Sequence, residues 1–270
     1  MPLQAIAVVD GTGEFSDESY AKSMANSFCT QIGQQLGGAS GVMADYQRGP
    51  TGEGARTGQK GREAAAILKR VHGLDRNAQL FLAGYSRGGS AAIIAAETLQ
   101  KDGVPVKALF LFDPVARHMC SGGEVIPANV RRAYVAYRAL DADIVARYEA
   151  TISAGGAPMP DKIGKFSVWK AATLFNPVGA AIEYVTNGNP IRPTFGKTAT
   201  QMAGPRFRED GKARMVVKTF RGSHGALGGV GWKMVKEDVA CQEAVAGFMN
   251  DAMDAEGLKG VRLTGITPIL

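Results

Sequence analysis

Ser86, Asp113 and His224 lie far apart in the chain, yet their residue types and settings are those of groups that could do chemistry together. Ser86 stands in Gly84-Tyr85-Ser86-Arg87-Gly88, after the apolar run Leu80-Phe81-Leu82-Ala83 and just before the small-residue run Ala91-Ala92-Ile93-Ile94-Ala95-Ala96. A short, continuous apolar run is what a parallel strand buried on both faces requires, and small side chains let a helix pack closely on such a sheet. A serine between glycines at that junction sits on a sharp strand-to-helix turn. Its hydroxyl is pushed out of the backbone above a helix N-terminus, placed to attack an electrophile.

A serine hydroxyl is a weak nucleophile near neutral pH and needs a general base, which a third group must orient. The chain has three histidines. His72 falls at the end of a predicted helix ahead of the serine strand, and His118 follows Asp113 by a few residues, where it reads as a rim or substrate-contact residue. His224 lies in Gly222-Ser223-His224-Gly225-Ala226-Leu227-Gly228-Gly229, a predicted loop directly after the last strand. Open α/β sheets gather their reactive groups at the C-terminal ends of strands, so His224 is the candidate base. Asp113 and Asp141 both end apolar strands, and either could hold the imidazole in its productive tautomer. Asp113 is preferred, because its strand is the most apolar in the chain and should partly bury the carboxylate; Asp141 is the reserve, its other reading being a surface cap for the segment 143–148. The order Ser, Asp, His is that of α/β-hydrolases. A tetrahedral oxyanion would need preorganised N–H donors: the amide of Arg87, which follows the nucleophile, and the loop Gly11-Thr12-Gly13 after the first strand. This chemistry calls for no cofactor and no metal.

The elements that would position these groups alternate along the chain. A strand over 5–9 precedes a helix over about 17–36 with Tyr20, Met24, Phe28, Ile32 and Leu36 on one face. A strand near 41–46, a glycine-rich loop over 48–54 and a helix near 61–71 come next. The serine strand and its helix are third, a strand over 106–112 ending at Asp113 is fourth, and a strand over 132–140 ending at Asp141 is fifth. From about 151 to 212 the alternation gives way to glycine, proline and isolated apolar clusters, which reads as an inserted lid. A strand over 214–220, the His224 loop and a helix from about 232 to 253 close the chain. Strand and helix in alternation predict a mostly parallel sheet covered on both faces, in one α/β-hydrolase-like domain over 1–270.

The bulk numbers agree with that layout. The 270 residues, 45% of them hydrophobic, suffice for one sizeable α/β core. A net charge of +6 with scattered Lys and Arg is a weak footprint for nucleic acid, whereas a basic face toward anionic lipid is compatible with it. Three widely spaced cysteines, Cys29, Cys120 and Cys241, form neither a disulfide framework nor a zinc site and are expected to be buried and inert. The N-terminus lacks the features of a cleaved signal, and no apolar run approaches the roughly eighteen residues of a membrane span. Synthesis in the cytoplasm, with any export by a signal-independent route, is the expectation. Two superficial motifs carry no nucleotide chemistry. Gly54-Ala55-Arg56-Thr57-Gly58-Gln59-Lys60 lacks the Lys-Ser/Thr of a phosphate loop, and Asp10-Gly11-Thr12 lacks the second carboxylate of an aspartyl-phosphate enzyme.

Four segments resemble, in order, the signatures of the type VI secretion lipase effector family: Asp10-Gly11-Thr12-Gly13 its D-G-T, Gly84-Tyr85-Ser86-Arg87-Gly88 its G-F-S-R-G, Phe112-Asp113-Pro114-Val115 its W-D-T-V, and His224-Gly225-Ala226-Leu227-Gly228-Gly229 its H-S-D-V-G-G. The last departs from the family at Ala226, where the family has aspartate. The resemblance implies a phospholipase with an α/β-hydrolase fold, an antibacterial toxin whose partners would be a membrane surface, a secretion apparatus and an immunity protein. It makes Ser86 the nucleophile, Asp113 the acid and His224 the base. The leading expectation is therefore a serine hydrolase of lipid or phospholipid acyl esters. A soluble short-chain carboxylesterase or thioesterase is the first alternative, and a catalytically silent binding module on the same fold is the second.

Overall fold

Alternation along a strand places successive side chains on opposite faces, and in the central strands of this chain both sets are largely apolar, so those strands must be covered twice. The computed structural model describes residues 2–13, 16–38, 41–50, 56–115, 123, 125–138, 208–209, 214–222, 224–230 and 236–265. Six strands form one sheet: β1 (Gln4–Val9), β2 (Val42–Gln47), β3 (Gln79–Tyr85), β4 (Val106–Phe112), β6 (Val130–Arg138) and β8 (Arg214–Phe220), in the order β2-β1-β3-β4-β6-β8. Every neighbouring pair is parallel. Two short strands, β5 (Val125–Ile126) and β7 (Arg208–Glu209), pair separately and were not anticipated by periodicity. This is the α/β-hydrolase layout, a parallel sheet with helices on both faces and the serine at a strand-to-helix elbow.

On one face, Ala5, Ala7, Val9, Leu80, Leu82, Leu109 and Leu111 pack under α3 (Thr57–Leu74) and α4 (Arg87–Lys101). On the other, Ile6, Val8, Phe81, Ala83, Phe110 and Phe112 meet α1 (Asp17–Met24), α2 (Phe28–Leu36), α5 (His224–Gly228) and α6 (Lys236–Ala255). The helix packing in α4 is close because the helix is small where it faces the sheet, with Ala91, Ala92, Ala95 and Ala96 fully buried.

The register brings the reactive ends together. Val9 lies opposite Gly84, Tyr85 opposite Phe112, and Phe112 opposite Ala136. Asp10, Ser86 and Asp113 therefore follow their strands at one rim. The chain winds outward in opposite directions from β1 and β3, so Gly11 and Ser86 flank the point where the strand order reverses, the usual place for a ligand in such sheets.

Several element boundaries differ from the sequence expectation. The single helix over 17–36 is two helices, since Ser27 caps α2 by accepting a hydrogen bond from the Thr30 amide at 2.9 Å. The predicted stripe survives the break: Tyr20, Met24, Phe28, Ile32 and Leu36 are all buried. The helix near 61–71 begins earlier, at Thr57, and the His224 loop is the short helix α5. The fifth strand, Val130–Arg138, begins two residues before the expected 132; its expected end at 140 and Asp141 lie outside the described residues. The closing helix is described over Lys236–Ala255, and its expected start near 232 lies outside the described residues. Of the expected lid over 151–212, only Arg208–Glu209 falls within the described residues. Cys29 and Cys241 are free and buried, and Cys120 lies outside that range. Among the described residues no helix is long and apolar enough to cross a membrane.

Candidate active site

The turn after β3 is built by exclusion. A Cβ on Gly84 would lie 2.3 Å from the Gly88 carbonyl oxygen, and one on Gly88 would lie 2.1 Å from that of Val9. Neither neighbour is a side chain that can swing away. Glycine at both positions lets the chain double back within one residue, and Ser86 takes the strain with φ 55° and ψ −127°. Gly88→Ala is accordingly expected to cost about 3 kcal/mol and lower Tm by about 5–10 °C, measured by thermal unfolding.

The elbow is tied to the next turn. The Ser86 amide donates to the Phe112 carbonyl at 3.0 Å, and the Ser86 carbonyl accepts from the amides of Gly89 and Val115, each at 2.9 Å. Between Phe112 and Val115 stands Asp113, itself at φ 38°, a left-handed conformation that aspartate tolerates better than most residues. His224 opens α5, and its carbonyl accepts a 3.0 Å hydrogen bond from the Tyr85 hydroxyl. The Tyr85 and His224 rings lie 4.9 Å apart. Gly11 and Gly228 make room for that phenol: a Cβ on either would come within 2.5 Å of the Tyr85 ring.

These turns bring the three groups into line. The His224 Nδ1–H donates to Asp113 Oδ2 at 2.6 Å, and His224 Nε2 accepts from the Ser86 hydroxyl at 2.9 Å. All three residues are buried, at 3% exposure or less. Asp113 Oδ2 also lies 3.3 Å from the Arg138 guanidinium, and Oδ1 accepts from the Arg138 amide at 3.3 Å. Burial alone would push the Asp113 carboxyl up, but the Arg138 charge, then the hydrogen bond and charge of His224, hold it below the ordinary carboxylate value. The acid is thus an anion throughout the range in which the imidazole can serve as a base.

Arg87 opens α4, so its amide has no acceptor one turn earlier in the helix. The loop after β1 lies beside the nucleophile, since a Cβ on Gly11 would be 3.4 Å from the Ser86 Cβ. The Gly11 amide, however, donates to Asp10 Oδ1 at 2.7 Å. Gly11 is therefore corrected from donor to spacer, and Thr12 remains the loop's candidate donor. His72 is buried near the end of α3, a helix that runs away from the reactive rim, and His118 lies outside the described residues. Among the described residues no cluster of His, Cys, Asp and Glu could hold a metal ion.

Sequence reasoning missed Arg138, Tyr85 and Asp10. Tyr85 carried a readable signal, as the residue between glycine and nucleophile. Arg138 carried less, because a charged residue ending a strand is ordinarily a solvated one; only the pairing of β6 with β4 shows that it meets a carboxylate.

No family model and no curated protein sequence matches the chain. Among solved structures, it is similar to the type II thioesterase YbtT of the yersiniabactin NRPS/PKS pathway, with 14% identity over 96% of this chain and 95% of that one and a TM-score of 0.39. The RedJ thioesterase of prodiginine biosynthesis in Streptomyces coelicolor shares 14% identity over 83% and 80%, with a TM-score of 0.35. ClbQ of the colibactin NRPS/PKS pathway shares 14% over 96% and 100%, with a TM-score of 0.35. Likeness of this size decides neither fold nor activity, and both stand on the geometry of the chain itself.

Proposed function

We propose that this chain is a serine hydrolase of carboxylic esters or thioesters, working through an acyl-enzyme. The observation that carries the reading is one imidazole with Nε2 at 2.9 Å from the Ser86 oxygen and Nδ1 at 2.6 Å from Asp113. As Ser86 attacks an acyl carbon, its proton passes to Nε2, and the Asp113 anion stabilises the imidazolium that forms. The carbonyl oxygen becomes an oxyanion received by the amides of Arg87 and Thr12. Collapse expels an alcohol or thiol, protonated by His224, and leaves acyl-Ser86. Water, deprotonated by the same nitrogen, then releases the carboxylic acid and restores the serine.

Lipid or phospholipid esters are the narrower reading, favoured by the four ordered signatures shared with type VI secretion lipase effectors. A series of nitrophenyl esters from acetyl to palmitoyl, an N-acetylcysteamine thioester series and phospholipid vesicles, with products resolved by mass spectrometry, separates the classes. A lipase will favour long chains and respond to the vesicle surface, while a short-chain esterase or thioesterase will favour soluble substrates. Folded protein that turns over none of them would leave a binding module.

A further inference from the structure

Asp10 is an aspartate that the reaction does not use, and it is fully buried. Its carboxylate is a hub. Oδ1 accepts from the Gly11 amide at 2.7 Å, and Oδ2 accepts from the Ser27 hydroxyl, from Tyr46 at 3.0 Å and from Thr30 at 3.3 Å. These partners come from the start of α2 and from β2, so one carboxylate joins the end of β1 to both neighbours. Burial pushes the carboxyl up to about 6 despite the hydrogen bonds that favour its ionised form, first those from Ser27 and Gly11. A group held that way in a core disfavours folding once it ionises: the folded chain keeps a proton that the unfolded chain has released, and stability falls as pH rises from about 4 to about 6. An apolar residue would carry no such cost.

The other side of Gly11 is fixed independently. The buried Tyr20 hydroxyl donates to the Gly11 carbonyl at 2.7 Å and accepts from the Gly49 amide at 2.7 Å. Gly49 approaches so closely that a Cβ there would lie 2.0 Å from the Gly11 oxygen. The Gly11 carbonyl belongs to the peptide unit whose N–H is that of Thr12, and a trans peptide directs those two groups oppositely. Anchoring the carbonyl on Tyr20 therefore turns the Thr12 amide away from the Tyr20 hydroxyl and fixes its direction. The Thr12 hydroxyl is also buried, with no hydrogen-bond partner among the described residues, as expected of a group that waits for a substrate oxygen.

We infer that Asp10 is a positioning residue for the oxyanion-binding loop, locking the Gly11 amide while Tyr20 locks its carbonyl, so that Thr12 presents a fixed donor beside Ser86. The inference rests on the acyl-hydrolase reading above and concerns the rate of its chemical step rather than its occurrence.

The test compares the native chain with Asp10→Asn and Tyr20→Phe on one nitrophenyl ester that the native chain accepts, with thermal unfolding run in parallel at pH 8. Native turnover together with fluorophosphonate labelling of Ser86 checks the acyl-hydrolase reading first: its absence in the native chain would end that reading and this inference with it, whereas an active native chain with unimpaired variants would end this inference alone. The expected result is a kcat 10- to 100-fold lower in each variant with KM within about threefold, and weaker inhibition by a trifluoromethyl ketone that forms an oxyanion on Ser86. Native kcat in the folded variants, or a loss of Tm with no loss of kcat, would make Asp10 a purely structural residue and overturn the inference. Should Asp10→Asn fail to fold, Tyr20→Phe decides by the same criteria, since it removes one oxygen and leaves the ring in its apolar setting.

Discussion

Ser86→Ala should lower kcat/KM for any accepted ester by about 10⁴- to 10⁶-fold and abolish labelling by a fluorophosphonate, while Tm moves little. The size of the effect follows from the role of one atom. Ser86 Oγ is the hydrogen-bond donor to His224 Nε2, and removing it takes away the nucleophile while the backbone bonds of the elbow to Phe112, Gly89 and Val115 remain. Alanine brings no larger side chain to the strained φ, so the turn itself has no reason to rearrange. The measurement is steady-state hydrolysis of a nitrophenyl ester alongside a gel-based labelling assay. Undiminished turnover in the folded variant would remove Ser86 from the chemistry and with it the proposed mechanism.

Asp113→Asn should cost about 10⁴-fold in kcat with KM nearly unchanged, and unlike the serine variant it should also destabilise the fold. The first effect is one of tautomer. The carboxylate accepts from His224 Nδ1–H and so leaves Nε2 free to take the serine proton; an amide can offer Nδ1 a donor instead and invert the ring's protonation. The second effect comes from Arg138, buried at 4% exposure with its guanidinium 3.3 Å from Asp113 Oδ2. Neutralising one member of a buried ion pair costs about 3 kcal/mol. Acid should mimic part of that loss. Because the folded carboxyl lies below 3.8, its contribution to stability is full above about pH 4 and disappears as pH falls through the lowered value. Thermal unfolding from pH 3 to pH 7 would show a slope at the acid end in the native chain that the asparagine variant lacks. Equal slopes would mean that Asp113 is not the ionised partner described here.

The parts of this site that could be read from sequence are those where local pattern and chemistry coincide. Ser86 was legible because a buried strand, paired glycines and a small-residue helix converge on it, and His224 because it follows the last strand in a chain with three histidines. The choice of Asp113 over Asp141 needed only the greater apolarity of its strand. Helix boundaries were less legible at Ser27, where a cap interrupts a stripe whose periodicity continues across the break. Tertiary partners were not legible. Nothing local to Arg138 announces an ion pair with a residue 25 positions earlier, and nothing local to Asp10 announces that hydroxyls from α2 and β2 will converge on it. Gly11 shows the same limit from the other side: as a glycine in a loop it reads as a donor, but the adjacent carboxylate has already taken its N–H.

The imidazole reaches the site on α5, directly after β8, and among the described residues β8 is both the final strand in chain order and an edge strand bonded on one side to β6. During synthesis the serine and its acid can be set in place on β3 and β4 while the base is still unmade, so a nascent or truncated chain ending before residue 214 carries an inert alcohol. An edge is also where a sheet frays first. Mild heating should therefore silence the enzyme reversibly before the sheet as a whole melts.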